Sequence, residues 1–210
     1  MLSNKFILVF VLAMLSQFAG AASSYEEMLD AVKQDKPEVV SALLKRGFDP
    51  NSSDREGNTL LMMAAKAGSI GVVKQLLAAN AKVESVNEFN ETAIMMAAIN
   101  GKTDVARALV DRGASINRPG WTPLMYAATM GHVDVARLMI SYGARVNATA
   151  ENGITPLMMA AREGHAPMVS FLLANGADAS LKSDAGATAL GMARDKNHQA
   201  IVEILGKAAK

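Results

Sequence analysis

The chain has 210 residues, half of them apolar and 5% aromatic, with 21 Lys and Arg against 20 Asp and Glu, three His and no Cys, for a formal net charge of +1. That balance leaves no basic excess to hold nucleic acid or an anionic membrane. The lack of Cys excludes disulfide stapling, thiol chemistry and a lipid-attachment cysteine, so a fold of this size, which buries about 70% of its surface, must rest on its apolar core.

In chain order, residues 1–22 come first and do not read as part of a fold. Lys5 gives a positive start, Phe6 to Leu15 is an apolar run of ten, and Phe18-Ala19-Gly20-Ala21-Ala22 offers small residues for cleavage. This predicts a secretory signal peptide cut after Ala21 or Ala22. A membrane anchor would need about 20 apolar residues, and Ser16 and Gln17 interrupt the run. The short segment with its Ala-rich end has a bacterial character and predicts export to the periplasm or beyond. Loss of Lys5 leaves 20 basic against 20 acidic residues, a mature chain of zero formal charge.

From there the chain repeats. Thr59, Thr92, Thr122, Thr155 and Thr188 are spaced 33, 30, 33 and 33 apart, and each heads a near-copy of Gly-x-Thr-x-Leu-Met-x-Ala-Ala, a polar pair, Gly, an apolar stretch and Gly-Ala. A fixed period of this length marks stacked units. Each Thr predicts an N-cap, with Pro123 and Pro156 at the first helical position. Gly68, Gly101, Gly131, Gly164 and Asn197 predict the left-handed residue that ends this first helix. A second helix follows, with apolar positions such as Val133, Val135, Leu138, Met139 and Ile140 on one broad face. It stops at Gly47, Asn80, Gly113, Gly143 or Gly176. Ala pairs at 64/65, 97/98, 127/128 and 160/161 let first helices approach closely, and neighbouring units must cover one another's apolar stripes.

These motifs closely resemble the ankyrin repeat, over about residues 25–210. The resemblance implies an all-α solenoid of stacked helix-turn-helix units with short β-hairpin-like finger loops. One domain, 23–210, divides into an N-terminal cap at 25–51, units at 52–84, 85–117, 118–147 and 148–180, and a C-terminal cap at 181–210. The first cap has Glu26 in place of threonine, with Glu26 and Glu27 favourable at a helix start. Asp195, Lys196, Glu203, Lys207 and Lys210 make the last unit polar.

Several features imitate chemistry. His132, His165 and His198 recur at one repeat position, matching the family's Gly-His, and stacked helices about 8–10 Å apart cannot bring imidazoles to the roughly 2 Å a zinc ion needs. No metal and no cofactor are expected. Met62, Met95, Met125 and Met158 stand where the family usually has a histidine that joins units by hydrogen bonds, so that polar link is absent. Neighbours in the Met62/Met63, Met95/Met96 and Met158/Met159 pairs point about 100° apart on a helix, which suits adaptable core packing better than copper ligation. Catalytic signatures are lacking: there is no Gly-x-Ser-x-Gly, no His-Glu-x-x-His and no phosphate-cradling loop. The chain is expected not to be an enzyme.

The informative departure is the loop before the fourth unit. Only Arg118 and Pro119 separate Asn117 from Gly120, a loss of three residues relative to the other units, and the sole tryptophan, Trp121, follows. In the ankyrin family, finger tips and the outer face of the first helices form a concave surface that grips proteins. Carried over by position, this implies partner contacts at Arg55, Glu56, Asn58, Lys66, Glu88, Phe89, Glu91, Ile99, Asn100, Arg118, Trp121, Thr129, Met130, Glu151, Asn152, Ile154, Arg162 and Glu163. Phe89, Ile99, Trp121, Met130 and Ile154 are apolar where water is expected, with polar neighbours around them, an interface pattern. The alternative for Trp121 is that it packs down on the shortened loop. The expected function is an exported, monomeric, non-catalytic adaptor for a protein partner. Competing readings are a periplasmic inhibitor or immunity protein of a toxin or hydrolase, a scaffold for an exported redox enzyme, and a Met-based oxidant or copper buffer.

Overall fold

The computed structural model describes residues 23–208. The expected signal segment, 1–22, lies outside them. Helix α1 (23–33) leads into α2 (Pro37–Lys45), and five further pairs follow: α3 (Leu60–Ala67) with α4 (Ile70–Ala78), α5 (Ala93–Ile99) with α6 (Thr103–Val110), α7 (Pro123–Met130) with α8 (Val133–Ser141), α9 (Pro156–Glu163) with α10 (Ala166–Ala174), and α11 (Ala189–Asp195) with α12 (Gln199–Ala208). Among the described residues no strand forms, and one isolated antiparallel bridge joins Ser53 to Thr59. The fold is an all-α repeat solenoid.

The predicted caps explain where first helices begin. The Oγ1 atoms of Thr59, Thr122 and Thr155 accept from the amides of Met62, Met125 and Met158 at 3.3, 3.2 and 3.3 Å, and that of Thr188 from Gly191 at 3.1 Å. Such a bond satisfies one of the orphan amides at a helix start. Thr92 departs from the pattern: its hydroxyl is buried without a partner, for which the surrounding geometry offers no physical reason. In the second unit the Met62 sulfur accepts the Thr59 amide at 3.4 Å, so a thioether supplies the reciprocal bond of a capping box.

Stacking then builds the core. First helices α3, α5, α7, α9 and α11 pack in sequence as one layer, second helices α2 to α12 as another, and each first helix packs on its own second helix. All eight residues of the four Ala pairs are 0% exposed. Small side chains there allow the backbones to close up, and the Leu and Met residues beside them fill the seam. Met62, Met95, Met125 and Met158 are all buried in it, the role for which an unbranched thioether is suited.

Polar clamps tie unit to unit. Nε2 of His132, His165 and His198 lies 3.0, 2.8 and 3.0 Å from the carbonyls of Ile99, Thr129 and Arg162 in the preceding unit. A carbonyl can only accept, so Nε2 carries the proton. Ser69, at the same position, donates to the Val32 carbonyl. These residues precede second helices yet make no cap bond of their own; for α4 the orphan amides of Gly71 and Val72 are instead taken by the Asp35 carboxylate of the unit before, at 3.3 and 2.9 Å. Polar bonds between units are therefore made from the position before each second helix, while Met62, Met95, Met125 and Met158 contribute packing.

The clamp needs glycine beneath it. Gly131 has φ +75°, and a Cβ there would lie 2.7 Å from Nδ1 of His165, whereas Gly143, at φ +87°, would meet nothing within 4 Å. Gly143→Ala is expected to cost about 1 kcal/mol for left-handed strain alone, and Gly131→Ala about twice that, because the imidazole must also move. Urea unfolding of the two variants checks this: equal losses would show that the ring contact contributes nothing.

Candidate protein-binding site

Fingers connect the units on one side of the stack, and four of them share a closure. The amides of Asp54, Asn87, Ala150 and Ser183 donate to the carbonyls of Asn58, Glu91, Ile154 and Ala187 at 3.0, 3.1, 2.9 and 2.9 Å. Each is a tight hairpin-like loop. In the third unit the Asn87 Oδ1 also accepts from the amides of Phe89 and Glu91 at 3.0 and 2.9 Å, and its Nδ2 donates to Asn58 Oδ1 at 2.9 Å and Glu91 Oε2 at 3.0 Å. Side-chain amides therefore lock the second finger to the third.

The fourth unit has no such finger. Its shortened loop places Trp121 against Tyr126, ring centroids 5.1 Å apart with planes tilted by 40°, a favourable offset arrangement. Beside it opens a cleft of about 540 Å³, with Phe89 and Asn90 on one wall, Glu151 and Asn152 on the other, and Met95, Trp121 and Tyr126 among the remaining lining residues. A second cleft, about 310 Å³, lies on the other side of Phe89 and is lined by Glu56, Asn58, Met62, Met63, Lys66, Glu91 and Met96. Phe89, 65% exposed, is the ridge between the two.

Glu91 lines the smaller cleft and reaches across to the fourth unit. The Tyr126 hydroxyl donates to Glu91 Oε1 at 3.2 Å. Burial, then the Glu91 charge and this hydrogen bond, push the phenol from its ordinary 10.0 up to about 12. A folded value above the unfolded one means that the stabilisation is fully present below pH 10 and disappears as pH rises through 12. In an alkaline absorbance titration the last phenolate step is expected to vanish in Tyr126→Phe; its persistence would assign that step to Tyr25 or Tyr142, which are also raised, the first mainly by burial and the second mainly by its bond to Asp111.

The expected contact residues divide into groups. Glu56, Asn58, Lys66, Phe89 and Glu91 line the smaller cleft, and Phe89, Trp121, Glu151 and Asn152 line the larger one. Arg55, Glu88, Met130 and Glu163 are exposed but line neither cleft. Arg162 forms an exposed ion pair with its neighbour Glu163 at 2.8 Å. Ile154 requires correction: at 8% exposure it belongs to the core, because its finger turns the side chain inward beside buried Ala150. Ile99 is likewise half-buried against the core rather than open to water. Asn100 and Thr129 are half-buried and bond their own helices, through the carbonyls of Met96 and Met125, both at 2.8 Å. Arg118 pairs with Glu84 at 3.2 Å. It lines a different depression, with Arg145 and Asn147.

Tyr126, Met95 and Asn90 are among the lining residues that the sequence reading passed over. Tyr126 had a signal: it is the one aromatic residue at a position that is Met in the flanking units, at Met63, Met96 and Met159. Met62, Met63 and Met96 do meet around one cleft, with Met62 and Met96 buried, at 1% and 9% exposed, and Met63 half-buried. Among the described residues no cluster of three or more His, Asp or Glu side chains is arranged as a metal site, and no helix is long and apolar enough to cross a membrane.

Parts of other proteins are similar in sequence to this chain. An ankyrin repeat protein of fowlpox virus is 31% identical over 93 residues, 43% of this chain and 21% of that protein. NF-kappa-B inhibitor alpha of Sus scrofa is 33% identical over 93 residues, 41% of this chain and 30% of the relative. An ankyrin repeat protein of the bacterium Coxiella burnetii is 30% identical over 103 residues, 44% of this chain and 30% of its own length. The matched segments thus span less than a third of each relative. The family described as ankyrin repeats matches in three overlapping copies, at residues 28–119, 61–150 and 145–210, and with the stacked helix pairs and fingers described above, the chain belongs to the ankyrin-repeat family.

Proposed function

We propose that the chain is an exported, non-catalytic adaptor that binds a protein partner across the Phe89–Trp121 face. Ankyrin repeats mediate protein–protein interaction, and one relative is by name an inhibitor of another protein. The observation that carries the reading is that two exposed aromatic side chains from successive units line one cleft, bordered by Asn90, Glu151 and Asn152. An apolar anchor within a polar rim is how interfaces concentrate binding energy. Export to the bacterial periplasm or beyond rests on residues 1–22, and the balanced charge of the mature chain fits a free monomer that does not adhere to membranes or nucleic acid.

The test uses the mature chain, starting at Ala22 or Ser23, immobilised and exposed to the exported protein fraction beside Trp121→Ala and Phe89→Ala forms. A specific protein retained by the wild type and lost from both variants is the expected result. A protein held equally by all three would place binding elsewhere. Cell fractionation with N-terminal sequencing tests export: a periplasmic chain beginning at Ala22 or Ser23 is expected, and a chain confined to the cytoplasmic fraction with Met1 retained would refute it.

A further inference from the structure

The finger row is continuous by backbone bonds on both sides of the fourth unit and interrupted at it. The Glu88 amide donates to the Glu56 carbonyl at 3.0 Å between the second and third fingers, and the Asp184 amide donates to the Asn152 carbonyl at 3.1 Å between the fifth and sixth. Counting from each unit's threonine, the same register would pair the Phe89 carbonyl with a fourth finger and the Glu151 amide with its other edge. That finger is missing, and neither group has a hydrogen-bond partner among the described residues. Phe89 and Glu151 are both exposed and stand on opposite walls of the 540 Å³ cleft. The place that one finger would otherwise fill thus has an unpaired acceptor in the unit before it and an unpaired donor in the unit after it. Such edges pair readily with a segment from outside.

The surroundings specify what that segment carries. Glu88 and Glu91 flank Phe89, Glu151 lies opposite, and the nearby cation Arg118 is already paired to Glu84. Trp121, Tyr126 and Phe89 all line the same cleft, and aromatic rings next to carboxylates attract a guanidinium or ammonium group.

We propose that the gap receives a tight β-turn of the partner protein bearing an arginine or lysine, which takes the place of the absent fourth finger. The turn donates an amide to the Phe89 carbonyl and accepts from the Glu151 amide, while its basic side chain lies over Trp121 between the acidic rims. The inference rests on the protein-binding reading above and narrows it to one partner element.

Trp121, the single tryptophan, is a built-in reporter. The probe is a backbone-cyclised ten-residue hairpin peptide with an Asn-Gly turn flanked by arginine, together with its Arg→Glu counterpart. The arginine peptide is expected to change Trp121 emission saturably, and the glutamate peptide to bind at least about tenfold more weakly. A finger-restored chain, with a copy of Ser85–Asn90 replacing Arg118–Gly120 and Trp121 kept, is expected to bind the arginine peptide at least about tenfold more weakly while unfolding at the same or higher urea concentration. Glu151→Pro is the second variant. The Gly153 amide donates to the Ala150 carbonyl at 2.9 Å, which places residue 151 where proline suits a turn, so the variant removes the open amide together with the carboxylate, and Glu151→Gln accounts for the charge. It is expected to weaken the peptide similarly, beyond any effect of Glu151→Gln. Unchanged emission up to millimolar peptide, or equal binding to wild type, the restored chain and Glu151→Pro, overturns the proposal. A captured partner weakened by Trp121→Ala but not by Glu151→Pro also overturns it while leaving protein binding intact, whereas indifference to Trp121→Ala counts against the binding reading itself.

Discussion

Leu124→Ala is expected to lower unfolding free energy by about 3 kcal/mol and the melting temperature by about 6–12 °C for a chain of this size. Leu124 is 0% exposed in α7, and α7 packs on α5 before it, α9 after it and α8 within its own unit. The cavity therefore weakens three contacts together. Stacked repeats sum unit stabilities and nearest-neighbour terms, and the fourth unit lacks the backbone bonds by which the second and third, and the fifth and sixth, fingers join. Its joints depend on helix packing and on individual side-chain bonds such as Tyr126 to Glu91. The transition of Leu124→Ala is accordingly expected to broaden, with the halves on either side of the fourth unit melting apart. Leu60→Ala is the control: Leu60 is equally buried, but its unit keeps the finger bond to the third. It is expected to lose similar stability in a single transition. If both variants melt with equal cooperativity, the interrupted finger row does not weaken the fourth joint.

Much of this was legible in the sequence because the governing physics is local. A threonine before an apolar run caps a helix whatever lies beyond it, and Gly131 or Asn197 takes a left-handed conformation for reasons within one turn. What escaped was relational. The histidines were readable as a repeat position, but that Nε2 of His165 reaches the Thr129 carbonyl depends on how one unit sits on the next. Ile154 occupies the same position as Trp121, one residue before its threonine; one is 8% exposed and the other 37%, and the difference arises from the loop behind each. Three missing residues were visible before Gly120, and so was Trp121. The open acceptor at Phe89 and open donor at Glu151 were not, because they belong to two fingers that meet only across the gap.

Trp121→Ala is expected to weaken the partner by at least about thirtyfold, roughly 2 kcal/mol, the scale of a central aromatic anchor. The same change is expected to cost the free protein no more than about 1 kcal/mol. Trp121 is already 37% exposed and its ring packs on that of Tyr126, a contact worth about 0.5–1.5 kcal/mol before the remaining side chains relax. Phe89→Ala is expected to leave stability within about 0.5 kcal/mol, since that side chain is 65% exposed, and to weaken the partner less than Trp121→Ala does. Because both line one cleft, the double variant is expected to lose less affinity than the two single losses combined. Calorimetric titration of the captured partner, run beside thermal unfolding, separates the two roles open to Trp121. A large fall in melting temperature with affinity unchanged means that the ring holds down its shortened loop. Retained melting temperature with lost affinity means that the chain exposes a tryptophan at the break in its finger row because a partner covers it.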